Sequence, residues 1–243
     1  MLFEAREIFV GGVHIHYETG GSGEPLVLLH GLSGSSRWWD KNTRALAEHF
    51  TVYVVDLIGF GRSRGQRFVL DQTPDLLKRW LGVLGLTHVN VIGHSMGGLI
   101  SAVMASRYPG LIDRLVLVDA AAVPLGRSII TSAIHLPLAL RYAAFDFLPV
   151  LISDALRAGP RTLLNATLAI HQADITADLS KIESRVLIVW GEHDELVPLA
   201  RGEALHQALP KAEFVVIRGA GHNPMWDRAD AFNRAVIDFL EQP

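Results

Sequence analysis

The sequence predicts an α/β fold, a mostly parallel sheet of eight strands with helices on both faces and a small helical cap set into it. Three observations carry this. Short apolar runs rich in Val, Ile and Leu recur along the chain, helix-period segments alternate with them, and the stretch between Asp119 and Val186 breaks the alternation. Residues 7–10 and 13–19 read as a hairpin across Gly11-Gly12, an antiparallel edge on an otherwise parallel sheet. Six further strands are expected at residues 25–30, 51–57, 88–93, 115–119, 186–190 and 214–217. Thr73-Pro74-Asp75 reads as a helix start, with Thr73 as N-cap, Pro74 at the first position and an acid in the first turn. Leu76, Leu77, Trp80, Leu81 and Leu84 mark the buried stripe of that helix. The last segment repeats the pattern at Ala231, Phe232, Ala235, Val236, Phe239 and Leu240.

The interruption holds apolar clusters at Ile129-Ile130, residues 136–140, residues 145–151 and Leu163-Leu164, broken by Gly126, Pro137, Pro149 and Gly159-Pro160. None has a strand signature. Core helices are normally separated by strands, so the expectation is a helical cap over residues 121–182, inserted in a core made of residues 1–120 and 183–243. Two or three ordinary packing helices are the alternative. The apolar content of a cap would wall a hydrophobic pocket.

A chain of 243 residues with 49% hydrophobic content and a net charge of −3 fits one soluble domain with a sizeable core. There is no basic surplus to suggest nucleic-acid binding. The absence of cysteine excludes disulfides, thiolate chemistry and cysteine–zinc sites. The opening residues lack the basic and apolar pattern of a signal peptide, and no stretch reaches the ~18 uninterrupted apolar residues of a membrane helix. The expectation is a cytoplasmic protein with no membrane span, its oligomeric state left open.

The chemistry concentrates at Gly93-His94-Ser95-Met96-Gly97-Gly98, which follows the strand Val89-Asn90-Val91-Ile92 and precedes the helical segment from Leu99. This is Gly-x-Ser-x-Gly between a strand and a helix, the setting that turns a common turn sequence into a nucleophile elbow. A serine hydroxyl is a poor nucleophile and must project clear of the sheet towards a base. The helix that starts there aims its positive end at a forming oxyanion.

A nucleophilic serine on this scaffold expects an acid and then a histidine further along the chain. The strand at residues 186–190 runs into Gly191-Glu192-His193-Asp194-Glu195-Leu196-Val197-Pro198, and the next strand opens into Gly219-Ala220-Gly221-His222-Asn223-Pro224. Ser95, Asp194 and His222 thus all fall just beyond the carboxyl ends of strands, where open parallel sheets bind ligands. They form the expected triad.

The chain resembles the α/β-hydrolase superfamily over nearly its whole length, most of all its small bacterial carboxylesterase-type members. His30-Gly31-Leu32 is similar to the His-Gly turn after the third strand of that family, and the stretch from Asp56 to Ser63 is similar to its Asp-x-x-Gly-x-Gly-x-Ser loop. The resemblance implies an oxyanion hole built from the Met96 and Leu32 N–H groups. It implies hydrolysis of carboxylic esters through an acyl-enzyme, on a small-molecule substrate and with neither metal nor organic cofactor. A serine nucleophile argues against the dehalogenase and epoxide-hydrolase branches, which carry aspartate at that position.

Other residues compete for these roles. Asp119 also ends a strand and is the rival acid; Asp194 is preferred because its loop resembles the acid loop of the family. His94 and His193 are expected to pack or hydrogen-bond locally, and His30 to fix its loop. His14 and His16 alternate in what reads as an edge strand, hence a solvated face, with no partner nearby for a metal site. Glu192 and Glu195 read as solvated.

Three alternative activities share the pattern. C–C hydrolases of aromatic meta-cleavage products resemble the chain at His222-Asn223-Pro224-Met225-Trp226 and at Phe232-Asn233. Those enzymes usually carry asparagine where His94 stands, and Arg141, Arg157 and Arg161 are the available candidates for their cap arginine. Cofactor-free perhydrolases or haloperoxidases share the motif set. A non-catalytic ligand receptor on the same fold is disfavoured by the intact triad.

Overall fold

The computed structural model describes residues 2–124 and 141–242. Eight strands form one sheet: β1 (Glu4–Val10), β2 (Val13–Gly21), β3 (Pro25–Leu29), β4 (Thr51–Val55), β5 (Val89–His94), β6 (Ile112–Val118), β7 (Arg185–Gly191) and β8 (Glu213–Ile217). Their order is β1-β2-β4-β3-β5-β6-β7-β8. β1 and β2 pair antiparallel, as do β2 and β4, and every pair from β4–β3 onward is parallel. Gly11 and Gly12 close the β1–β2 hairpin with φ of 59° and 82°, a two-residue turn that needs positive φ at both positions.

Seven described α-helices accompany the sheet: α1 (Thr43–Ala47), α2 (Thr73–Val83), α3 (Met96–Arg107), α4 (Leu148–Gln172), α5 (Leu199–Ala208), α6 (Pro224–Asp227) and α7 (Ala229–Leu240). Alternation along the strands divides the core into two layers, because successive side chains leave a strand on opposite faces. Val91, Leu115, Leu117, Val186 and Ile188 pack with α2, α3 and Leu205 of α5. Their neighbours Ile92, Val116, Val118, Leu187 and Val189 pack with Leu46 of α1 and with Phe232, Val236 and Phe239 of α7. Helices therefore cover both faces.

Two local expectations are corrected. Thr73 is not the N-cap of α2. A 3₁₀ turn at Leu70–Gln72 runs straight into the helix, so Thr73 is already helical and its hydroxyl donates to the Val69 carbonyl at 2.9 Å. His16 is not solvated: β4 covers β2 on its far side, and His16 is fully buried with Nδ1 3.0 Å from Asp56 Oδ2. The interrupted region is described only in part. Its described part is helical, α4 kinking at Gly159 (φ 77°) ahead of Pro160 and a 3₁₀ turn following at Thr176–Lys181. Phe145 (90% exposed), Ile152 and Leu156 nevertheless face outward, while Phe147 is buried. Phe145, Ile152 and Leu156 line an open concavity on the outer side of this segment, and Phe147 turns into the core. Gly126, Ile129-Ile130 and residues 136–140 lie outside the described residues. No described helix is long and apolar enough to cross a membrane.

Candidate active site

Ser95 sits between the end of β5 and the start of α3 with φ 53° and ψ −112°, a region that only a tightly determined turn imposes on a non-glycine residue. The surroundings fix it. Ser95 N–H donates to the Val118 carbonyl at 2.9 Å, and its carbonyl accepts from Leu99 and Ala121. The glycines on either side allow the crowding. A Cβ on Gly93 would lie 2.4 Å from Ser101 Oγ, and one on Gly97 would lie 2.3 Å from the Leu29 carbonyl oxygen. The sharp turn leaves Ser95 9% exposed at the carboxyl edge of the sheet.

Asp194 and His222 meet. His222 Nδ1 lies 2.7 Å from Asp194 Oδ2, a distance at which the imidazole N–H donates to the carboxylate. Asp194 Oδ1 accepts from the Leu196 and Val197 amides at 2.8 and 2.9 Å, so both its oxygens are held. The His222 ring lies 4.8 Å from that of His94, the residue before Ser95. Among the described residues Ser95 Oγ makes no hydrogen bond, including none to His222.

The His30-Gly31-Leu32 turn stands against this elbow: a Cβ on Gly31 would lie 3.1 Å from Ser95 Cβ. Met96 begins α3, so its N–H has no partner within the helix. His30 holds the turn. Its Nε2 accepts from the Leu57 amide at 3.0 Å, leaving Nδ1–H to donate to the Gly31 carbonyl at 2.8 Å. Burial holds the His30 pKa below the usual imidazole value, which suits this neutral, structural form. His94 is likewise buried and kept neutral, donating Nε2–H to the His222 carbonyl at 2.8 Å. His193 stacks on Tyr142 at 4.3 Å. Glu192 is partly solvated and accepts from the Gly219 amide.

Asp119, the rival acid, is fully buried beside the same group, with one oxygen accepting from the Gly191 amide at 2.9 Å. Asp119, Asp194 and His222 each offer a polar atom within 4.8 Å of the others, a spacing that could suit a cation. The hydrogen bonds already occupy both Asp194 oxygens and His222 Nδ1, so the group is better described as an acid–imidazole cluster.

Several participants had no readable signal in the sequence. Asp227 accepts from the Gly221 and Ala144 amides at 3.0 Å and so braces the His222 loop. Asp154 of α4, buried, accepts from Ser35 Oγ at 2.7 Å and pairs with Arg37 Nη2, tying α4 to the loop that follows β3. Phe147 packs on Trp38 at 5.1 Å, and Trp38 in turn on His94 at 5.7 Å.

A family profile described as alpha/beta hydrolase fold matches residues 24–158, more than half of the chain. The chain belongs to the α/β-hydrolase family. A second profile, described as TAP-like protein, matches residues 168–243. A 2-hydroxy-6-oxononadienedioate/2-hydroxy-6-oxononatrienedioate hydrolase of Paraburkholderia phymatum is 32% identical, covering 95% of this chain and 92% of that one. Among solved structures, a bromoperoxidase from Bacillus anthracis superposes with a TM-score of 0.89 at 25% identity, over 98% of this chain and 100% of that one. The enol-lactonase from Burkholderia xenovorans gives a TM-score of 0.82 at 26% identity, over 98% of this chain and 100% of that one. The eight-stranded, mostly parallel sheet expected from the sequence is the fold of this α/β hydrolase, and hydrolysis is the activity its relatives support.

Proposed function

We propose that this α/β hydrolase cleaves carboxylic esters with an apolar acyl or alcohol part, through an acyl-enzyme on Ser95. Ser95 Oγ attacks the ester carbonyl as His222 takes its proton. Asp194 holds the imidazole in the tautomer that presents Nε2 to Ser95 and stabilises the imidazolium that forms. The Met96 and Leu32 N–H groups receive the oxyanion, a donor of this kind being worth about 3 kcal/mol of barrier. His222 then protonates the leaving alcohol, and water repeats the sequence on the acyl-enzyme. The observation that carries this reading is the 2.7 Å bond between His222 and Asp194 at the same sheet edge as the strained Ser95 turn. Residues 121–182 act as the cap that selects substrate. Support comes from Phe147, three aromatic contacts from His222 through Trp38 and His94, and from the Asp154 link to the loop after β3. The substrate is a small molecule and the setting cytoplasmic.

A C–C hydrolase acting on a vinylogous diketone is the second reading, favoured by the 32% identity to the Paraburkholderia phymatum hydrolase. Two details weigh against it. Arg141, Arg157 and Arg161 are exposed, which suits a solvated face better than a substrate carboxylate site. Trp226 Nε1 donates to Asp146 at 2.9 Å and its ring packs on Phe147, so packing accounts for it. The test is turnover of p-nitrophenyl esters of increasing chain length beside a vinylogous diketone. Ester turnover that peaks at one chain length supports the first reading; diketone cleavage without ester turnover replaces it by the second.

A further inference from the structure

The strongest unexplained feature is the second buried carboxyl beside the acid. Asp119 Oδ2 is buried and has no hydrogen-bond partner among the described residues, while Oδ1 accepts from Gly191 N–H. Its neighbour is Asp194, itself buried. Two carboxylates so placed in a dry site cannot both ionise, and one of them must keep a proton. The hydrogen bonds decide which one. Asp194 receives three donors, from Leu196 N–H, Val197 N–H and His222 Nδ1–H, and each stabilises the charged form. Asp119 receives only one. The charge therefore rests on Asp194 and the proton on Asp119. A proton on Oδ2 also supplies what the unpartnered atom lacks, because a carboxylic O–H can donate to Asp194. The other titratable groups facing Asp119 are His222 and Asp227, and the latter adds to the negative field that keeps the proton in place.

Position gives the proton a purpose. Asp119 follows β6 with φ 43°, an unfavourable value for a side-chain-bearing residue, and its N–H donates to the Val189 carbonyl at 3.0 Å. Together with the bond to Gly191, this ties the end of β6 to the end of β7, where the Asp194 loop begins. We propose that Asp119 is a proton-bearing positioning residue, a neutral carboxylic acid that donates a hydrogen bond to Asp194 and holds it in register with His222. In this role Asp119 acts through Asp194 and not on the reacting serine. Its neutrality leaves Asp194 as the carboxylate bonded to His222. The inference rests on the reading of Ser95, His222 and Asp194 as the reacting set.

The experiment pairs infrared difference spectroscopy with kinetics on Asp119→Asn and Asp119→Ala. Asparagine keeps both an acceptor for Gly191 and a donor for Asp194, whereas alanine keeps neither. The wild-type protein at neutral pH should show a deuterium-sensitive carboxylic C=O band that is absent from Asp119→Asn. On the best ester substrate Asp119→Ala should lose about 10- to 100-fold in kcat at unchanged KM, the size of one hydrogen bond to a charged group. Asp119→Asn should recover most of that loss. Absence of the band, or its persistence in Asp119→Asn, overturns the proton assignment. An unchanged kcat in a folded Asp119→Ala, or a loss in Asn as large as in Ala, overturns the positioning role. Should Ser95→Ala keep full turnover, the reading of the reacting set fails, and the infrared band still decides where the proton lies.

Discussion

Replacing Asp194 by Asn alters one atom type at the centre of the site while leaving its volume unchanged. Asp194 Oδ1 accepts two amides at 2.8 and 2.9 Å, and the amide oxygen of Asn can keep both. Its NH₂ group then faces His222 Nδ1, which in the native site lies 2.7 Å from a carboxylate oxygen. Two donors cannot share that contact, so Nδ1 must turn acceptor and the ring proton moves to Nε2. The nitrogen meant to take the proton of Ser95 is then already protonated. The same change in a serine protease costs about 10⁴-fold in kcat, which at ~1.36 kcal/mol per decade is ~5.5 kcal/mol of transition-state stabilisation. Stability should barely move, because the loop amides keep their acceptor. The assay is steady-state hydrolysis of the best p-nitrophenyl ester, with circular dichroism and thermal unfolding as fold controls. Asp119→Asn serves as comparator, with a far smaller expected loss. A folded Asp194→Asn within about tenfold of wild type would refute the tautomer argument, and a larger loss at Asp119 would reverse the acid assignment.

Two other outcomes are expected. Burial first, and then the charge of Asp194, hold the Asp119 carboxyl well above the usual carboxylate range. In the unfolded chain it ionises near pH ~3.9, so above that pH the unfolded state releases a proton the native state keeps, and stability falls as pH rises towards the folded-state pKa. Asp119→Asn lacks that loss. Its urea midpoint relative to wild type should climb from acid towards neutral pH, and a difference constant with pH would sink the argument. Phe147→Ala should shift the preferred acyl length and lower stability by about 3–5 kcal/mol, as for other buried aromatic truncations. Leu156→Ala, at a position 77% exposed, should do neither. Identical chain-length profiles for the two variants would remove Phe147 and the start of α4 from substrate selection.

What could be read from the sequence was local. The strands were legible because the parallel ones are apolar on both faces, and the elbow because two glycines and a serine stand between strand and helix signals. Asp194 and His222 were legible for the same reason, each in a loop directly after a strand, and the structure brings them together. The remaining features depended on contacts across long separations. Alternation in β2 gave no sign that β4 pairs against it and buries His16 on Asp56. Nothing near Asp154 announces Ser35 and Arg37, over a hundred residues away. Asp119 was legible as an alternative acid but not as a neighbour of Asp194, because only the pairing of β6 with β7 sets the two strand ends side by side. In the segment leading into α4 the apolar residues were legible, whereas the face each one takes was not. Phe147 turns inward onto Trp38 while Phe145 stays in solvent.

The central claim is that Ser95 is the nucleophile, raised by the turn after β5 and served by His222. Covalent trapping with a fluorophosphonate, followed by intact-mass and peptide-mapping mass spectrometry, tests it without knowledge of the natural substrate. The account predicts one adduct per chain, on the peptide that holds Ser95, absent in Ser95→Ala and formed far more slowly in His222→Ala. An adduct on another residue, or equal labelling of Ser95→Ala, would contradict it.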